Sequence, residues 1–403
     1  MSPMATDWHR MSSLVRAPRR SHLVSQSNPL DPSGPLARVS VVIPCFNYGH
    51  WLVGCVESAL TQEQVDVDVI IVNDASTDHS GSVADQLAAR DSRVRVIHHV
   101  TNKGHIPSVN EGLAATTGEY IVKLDADDLL TSGSIARSVA LLKAHPNVGF
   151  VYGRCLYFGA GLKQTLNRST RLIRSASLAF TDAPASTRLS RQVRHWTLWP
   201  GHEWLAMRCE RGVNCISQPE VVMRAAAIRV AGGYDEKLPH TSDLGMWLTL
   251  AGKWDVGHID GPIQGLYRVH AGSMQRTVNA GKLRDLNGRL DAFESVLSGM
   301  ATTHSHAQQY LDIARRRLAS EALESACRAF DRGRTHLEPV DDYVTFAENA
   351  YPEATRLPEW VRLSRRRRAG SAMSRFHPVF FADAVLNRVR EEASMIRWWH
   401  TGV

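Results

Sequence analysis

The sequence predicts an α/β protein: a mostly parallel, doubly wound sheet with a mainly helical C-terminal extension. Three observations carry this. From Val39 to Phe158, short apolar runs of strand length alternate with segments of helical spacing. Two of the runs end in acidic clusters, at Asp74 and at Asp125-Ala126-Asp127-Asp128, and open α/β sheets bind ligands outside the carboxyl ends of their strands. From about Leu283 onward, Leu286, Leu290, Phe293 and Leu297 and then Leu311 to Phe330 keep helical spacing with no strand between them.

In chain order, residues 1–37 mix Ser, Pro and Arg without periodicity and read as a disordered lead-in. Val39–Ile43 is a strand ended by Pro44, and Trp51, Leu52, Cys55, Val56 and Ala59 mark the following helix. Val67–Val72 is a second strand, followed by a helix through Val83 and Leu87; Val94–Ile97 is a third. Pro107 stands near the start of a helix to about Thr116, where proline is tolerated. Tyr120–Leu124 is the next strand, Ile135–Ala144 a helix closed by Pro146, and Val148–Phe158 a strand. Residues 159–212 form a variable excursion, rich in Arg, Ser and Thr to about residue 195. Val213–Met223 reads as extended, Ala225–Ala231 and the segment after Asp243 as helices, and Trp254–Ile259 and Gln264–Val269 as two strands. The domain division expected is 1–37 lead-in, 38–278 catalytic domain and 279–403 helical region.

The stretch Tyr120–Leu130 is the focus. In a strand, side chains at i and i+2 share a face, so Asp125 and Asp127 would project together from the end of an apolar run. Hard oxygen ligands of this kind suit Mg²⁺ or Mn²⁺ held jointly by carboxylates and substrate phosphate. The plainer reading is a solvated turn in which Asp127 or Asp128 caps a helix.

Composition narrows the class. With 403 residues, 43% hydrophobic and 22% charged, the chain can bury a sizeable core. Its six cysteines are scattered without a CxxC pair, which argues against structural zinc and fits a reducing cytoplasm. No apolar run reaches the roughly 20 residues of a membrane span. A net charge of +7 favours anionic partners without distinguishing among them.

The order of motifs resembles the family 2 inverting glycosyltransferases of the GT-A, Rossmann-like fold over residues 38–275. The blocks are VSVVIPCFN at 39–47, VNDASTD at 72–78, NKGHIPSVNEGLAATTGEYIVKLDADD at 102–128, AGGYDE at 231–236 and YRVHAGSM at 267–274. The resemblance implies a nucleotide-diphosphate sugar as donor, a hydroxyl acceptor (glycan, lipid-linked or small molecule) and Mg²⁺ or Mn²⁺ as cofactor. Pro44, Phe46 and Asn47 would border the base and Asp74 would bind base or ribose. Lys103, Asn110, Asp125 and Ala126 would complete the donor site. Asp127 would be the main metal ligand, His270 a further metal or diphosphate contact, and Asp243 the catalytic base.

Three departures from the family pattern stand out. Ser242 replaces the acidic residue common before the base, and Val109 replaces an arginine before Asn110, with Lys103 or His105 as the substitutes at hand. The QxxRW motif of processive relatives is missing, which points to transfer of one sugar.

Trp196, Trp199, His202 and Trp204 read equally as an acceptor-binding wall or as a helix anchoring the excursion. The Arg365–Arg368 run with the aromatics that follow reads as an exposed basic turn and a packed helix, or as a peripheral contact with the inner face of a membrane. Other classes weighed are a metal-dependent nucleotidyltransferase, a basic nucleic-acid-binding module and a non-catalytic relative. Specific nucleic-acid binding is not expected, because carboxylates at the strand ends repel phosphate unless a metal intervenes.

Overall fold

The computed structural model describes residues 22–24, 35–159, 193–273 and 281–402. Most of the lead-in, residues 160–192 of the excursion and the end of the last motif lie outside the described residues.

Among the described residues ten strands form one sheet. They are β1 (Leu23–Val24), β2 (Ala37–Cys45), β3 (Val65–Asn73), β4 (Val94–His98), β5 (Tyr120–Lys123), β6 (Leu129–Leu130), β7 (Val148–Phe158), β8 (His195–Trp199), β9 (Val222–Arg224) and β10 (Asp255–Arg268). The order is β1-β8-β10-β7-β9-β5-β2-β3-β4, with β6 on β10. The half β5-β2-β3-β4 is parallel, as the alternating pattern predicts. The other half is mixed: β7 and β10 are parallel, while β9 lies antiparallel between β7 and β5. The two strands expected at 254–269 are one bent strand, whose register against β7 shifts around Gly261 and Pro262. The extended reading of Val213–Met223 holds only at its end. Residues 218–220 form a 3₁₀ turn before β9.

The helices are α1 (Gly49–Leu60), α2 (Ser80–Arg90), α3 (His105–Ala114), α4 (Ser134–Ala144), α5 (Gly201–Arg211), α6 (Ala225–Ala231), α7 (Ser242–Ala251), α8 (Lys282–Gly299), α9 (Ala307–Asp331), α10 (Val340–Ala350), α11 (Pro358–Ser374) and α12 (Pro378–Thr401). Helix α3 lies close on the sheet because Gly112 has no side chain: a Cβ there would stand 2.3 Å from a Val42 methyl. Strands β2 and β3 are almost wholly buried because helices cover both faces, as in doubly wound sheets generally.

One expectation is corrected. Residues 23–24 of the expected lead-in form an edge strand against Trp196 and Thr197. The helical region packs directly on the sheet. One apolar core runs from Val42 and Ile121 through Trp247 to Phe293, Leu318 and Leu363. Near residue 402 the chain closes onto the sheet, where Tyr152 donates its hydroxyl to the Gly402 carbonyl at 2.6 Å.

The tryptophan cluster is corrected as well. Trp196, Trp199 and Trp204 are no more than 2% exposed and pack on both faces of the sheet, so they are core and line no acceptor wall. His202 is exposed on the first turn of α5. The arginine run is not a turn. It lies inside α11, with Arg366 buried against Asp331 at 2.7 Å and Arg367 paired with Asp341.

Candidate active site

Strands β2, β3 and β5 end together: Cys45 is opposite Asn73, and Val42 opposite Lys123. The loops leaving these ends open into a cavity of about 1430 Å³. Pro44, Phe46, Asn47, Asp74, His105, Asp125, Ala126, Asp127 and Asp243 all line it.

At the β2 and β3 ends the loops lock each other. Asn47 holds a left-handed backbone (φ 60°), which asparagine tolerates better than most residues. Its Oδ1 accepts hydrogen bonds from the amides of Thr77 (2.8 Å) and Asp78 (3.2 Å). Phe46 is left half-exposed at the cavity rim, an apolar face on which a planar ring can stack.

Asp74 is buried. It accepts from His99 Nδ1 and the Lys103 amide at 2.7 Å each, and from the Gly104 amide at 2.8 Å. Burial raises its pKa, but these donors outweigh burial and hold the carboxyl below its ordinary range. Asp74 therefore fixes the 99–104 loop.

Two expected donor contacts are corrected. The Lys103 ammonium turns to Glu111 at 2.7 Å and does not line the cavity. Asn110 clamps the turn after α6, accepting from the Tyr234 amide (2.8 Å) and donating to the Tyr234 carbonyl (2.9 Å). Gly233 makes that clamp fit, with φ +92° and no room for a Cβ beside the Asn110 side chain.

At the β5 end the acidic residues separate into distinct roles. Asp128 is buried; it accepts the Arg268 amide at 2.8 Å and ties the acidic turn to the end of β10. Burial, then the neighbouring carboxylates of Asp127 and Asp125, push its carboxyl well above the usual range. It caps no helix, since the next one begins at Ser134.

Asp127 Oδ2 and His270 Nε2 stand 3.0 Å apart. The imidazole is held by Trp51 (ring centroids 4.4 Å) and Tyr48 (5.6 Å), and Arg268 Nε donates to the Asp127 carbonyl at 2.7 Å. Among the described residues no cluster of three metal-ligating side chains forms. Two converging protein ligands nevertheless fit a hard cation whose remaining positions go to phosphate oxygens and water.

Sequence reasoning missed Lys123. It is 2% exposed in the side chain, yet its ammonium lies 3.2 Å from Asp125 and 3.5 Å from Asp243. Burial lowers its pKa, but the two carboxylates outweigh burial and the ammonium stays charged. One cation thus joins the end of β5 to the first turn of α7. Its parity was the available signal, since Lys123 and Asp125 share a strand face in an otherwise apolar run. His105, 3.7 Å from Asp125, is pushed toward the neutral imidazole by burial and then by Lys123.

The model of glycosyl transferase family 2 matches residues 40–203, the segment that supplies Asn47, Asp74, Lys123 and the acidic turn. Over those residues the chain is similar to glycosyl transferase family 2. The family domain has many relatives. Glycosyltransferase GlyG of Streptococcus pneumoniae is 40% identical over 97 residues, 24% of this chain and 32% of its own. The uncharacterized glycosyltransferase EpsJ of Bacillus subtilis is 38% identical over 99 residues, 25% of this chain and 28% of its own. The chain thus spans about a third of the length of these curated relatives.

The fold is shared more widely. S. aureus TarS 1-349 in complex with UDP-GlcNAc matches 84% of this chain and 89% of its own, with a TM-score of 0.54 at 13% identity. Asp243 and His270 lie beyond the segment matched by the family model; Asp243 lines the cavity from α7, and His270, just past the end of β10, meets the cavity-lining Asp127.

Proposed function

We propose that the protein transfers one sugar from a nucleotide-diphosphate donor to an acceptor hydroxyl, with inversion. The observation that carries this reading is the meeting of Asp127 with His270 and of Lys123 with Asp243 around one cavity, rimmed by Phe46.

Phe46 and Pro44 take the base. A divalent cation held by Asp127 and His270 would supply Lewis-acid neutralisation of the diphosphate. Asp125, anchored by Lys123, faces the donor. Asp243 accepts the proton of the acceptor hydroxyl as its oxygen bonds to the anomeric carbon. The bond to the diphosphate breaks on the opposite side, and the diphosphate leaves with the bonding electrons. Lys123 keeps Asp243 oriented and balances its charge. Mn²⁺-dependent release of nucleoside diphosphate from a panel of nucleotide sugars tests the reading. Asp243→Asn should retain donor binding and lose about 10²–10⁴-fold in turnover. Pyrophosphate release from nucleoside triphosphates would instead identify a nucleotidyltransferase.

A second part of the reading concerns the acceptor's location. Phe376 and Phe381 are 80% and 70% exposed, and Phe381, Val385, Leu386 and Val389 recur at i, i+4, i+5 and i+8 on α12. Arg365 and Arg368 carry positive charge on the adjoining α11. No described helix is long and apolar enough to cross a membrane, but this face suits the headgroup layer of an anionic bilayer. Co-sedimentation with phosphatidylserine-containing vesicles, lost in Phe381→Ser/Val385→Ser, checks it. Equal pelleting of both proteins would end that part of the reading.

A further inference from the structure

The cavity does not stop at the acidic turn. It continues past Ser217 and Gln218, whose side-chain amide donates to the Lys123 carbonyl, into an annex bounded by α5, the 213–218 loop and helices α8, α9, α11 and α12. The annex wall is densely charged, and most of its charges cancel locally. Arg317 faces Glu324, Arg362 faces Glu359, and Arg289 pairs with Asp285 and Glu321.

Arg208 is the exception. It is 1% exposed, and Nε and Nη2 are buried with no hydrogen-bond partner among the described residues. No carboxylate among those residues forms an ion pair with it. Its guanidinium lies 5.2 Å from the Trp204 ring, and its other neighbours include the Cys215 thiol, which burial keeps protonated. Glu210, also on the cavity wall, has its carboxyl pushed up to about 7 by burial, against the pull of Arg211, and so carries only part of a charge at neutral pH. Nearer the cavity's outer edge, Arg390 is exposed with no ion pair among the described residues.

A guanidinium always carries its charge and presents a planar fork of donors that matches phosphate or carboxylate. A buried charge without a counter-ion is costly unless something anionic completes it. We infer that Arg208 is the floor of an anion subsite in the annex, and that the acceptor carries a phosphate or carboxylate seated there while its hydroxyl reaches Asp243. The subsite stands on Arg208 and the annex alone; its assignment to the acceptor rests on the transferase reading.

The test uses the full-length protein in EDTA with inorganic phosphate as probe, followed by thermal melting. Phosphate at roughly tenfold excess over its Kd should raise Tm by about 2 °C in the wild type and in Asp127→Ala. The rise should be absent in Arg208→Met and reduced in Arg208→Lys, which keeps the charge and loses the fork. Glucose 6-phosphate and glucuronate should reproduce it and glucose should not; the two anions separate a phosphate from a carboxylate preference. Without anion, Arg208→Met should melt no lower than the wild type.

Four outcomes would overturn the inference. The shift could survive in Arg208→Met, as non-specific stabilisation by phosphate would. It could vanish in Asp127→Ala, placing the anion at the donor site. It could be absent throughout. Arg208→Met could also melt well below the wild type with Arg208→Lys unchanged and unresponsive to phosphate, marking the arginine as a packing and helix-terminal charge. Failure of every nucleotide sugar to turn over would sink the transferase reading and leave the phosphate result standing.

Discussion

Glu321→Gln tests how the annex wall is held. Glu321, on α9, is nearly buried and accepts hydrogen bonds from Arg289 on α8 at 3.0 and 3.1 Å, and also pairs with Lys282. Burial raises its pKa, but Arg289 and Lys282 overcome that and hold the carboxyl down to about 2, against an ordinary value of 4.5. Each pKa unit corresponds to about 1.4 kcal/mol. The carboxylate therefore contributes about 3 kcal/mol at neutral pH.

The sign follows from the direction of the shift. Between 4.5 and about 2 the unfolded chain binds a proton that the folded chain does not, so the contribution is full above pH 4.5 and falls as pH drops through that window. The variant should be less stable than wild type by about 3 kcal/mol at pH 7, and the gap should close as pH approaches 2. Urea denaturation at a series of pH values, followed by circular dichroism, measures it. A gap that stays constant with pH, or one near zero at pH 7, would refute the argument that charge pairing joins α8 to α9.

Three further outcomes are expected. Lys123→Met should cost roughly 2 kcal/mol, less than a fully buried pair because Asp125 and Asp243 keep some solvent; it should lower kcat by more than it weakens nucleotide affinity, measured by steady-state kinetics beside calorimetric titration. Glu220 is buried with Oε2 unpaired among the described residues, and burial pushes its carboxyl well above the ordinary range. The folded state thus keeps a proton that the unfolded chain loses above about pH 4.5, stability falls as pH rises from there, and Glu220→Gln should flatten that slope in melting curves from pH 5 to 8. Asn110→Ala removes both hydrogen bonds to Tyr234 and should cost about 1–3 kcal/mol in denaturant titration, with donor affinity retained.

The parallel half of the sheet was legible because β2, β3 and β5 each carry a short apolar run, Val41–Ile43, Val69–Val72 and Tyr120–Val122, the pattern of strands buried on both faces. Asp127 and Asp243 were legible through motifs, and the structure brings both to one cavity. Three features were not legible. Trp196, Trp199 and Trp204 read equally as a binding wall or as a core anchor because sequence does not show which face of β8 and α5 is covered. Lys103 and Asn110 looked like donor contacts because their partners, Glu111 and Tyr234, are fixed by tertiary approach. Arg208 gave no signal, since a lone arginine in a polar helix reads as solvated and its burial comes from tertiary packing, against Trp204 among others.

Lys123 also has an architectural consequence. A single ammonium serves as counter-ion to Asp125, on the proposed donor side, and to Asp243, the proposed base. Charge placed against either carboxylate redistributes its hold on the other, so the two form one electrostatic circuit. On the proposed reading, recruiting this scaffold to a new donor by altering the β5 end resets the carboxylate on α7 as well, and the two must be optimised together.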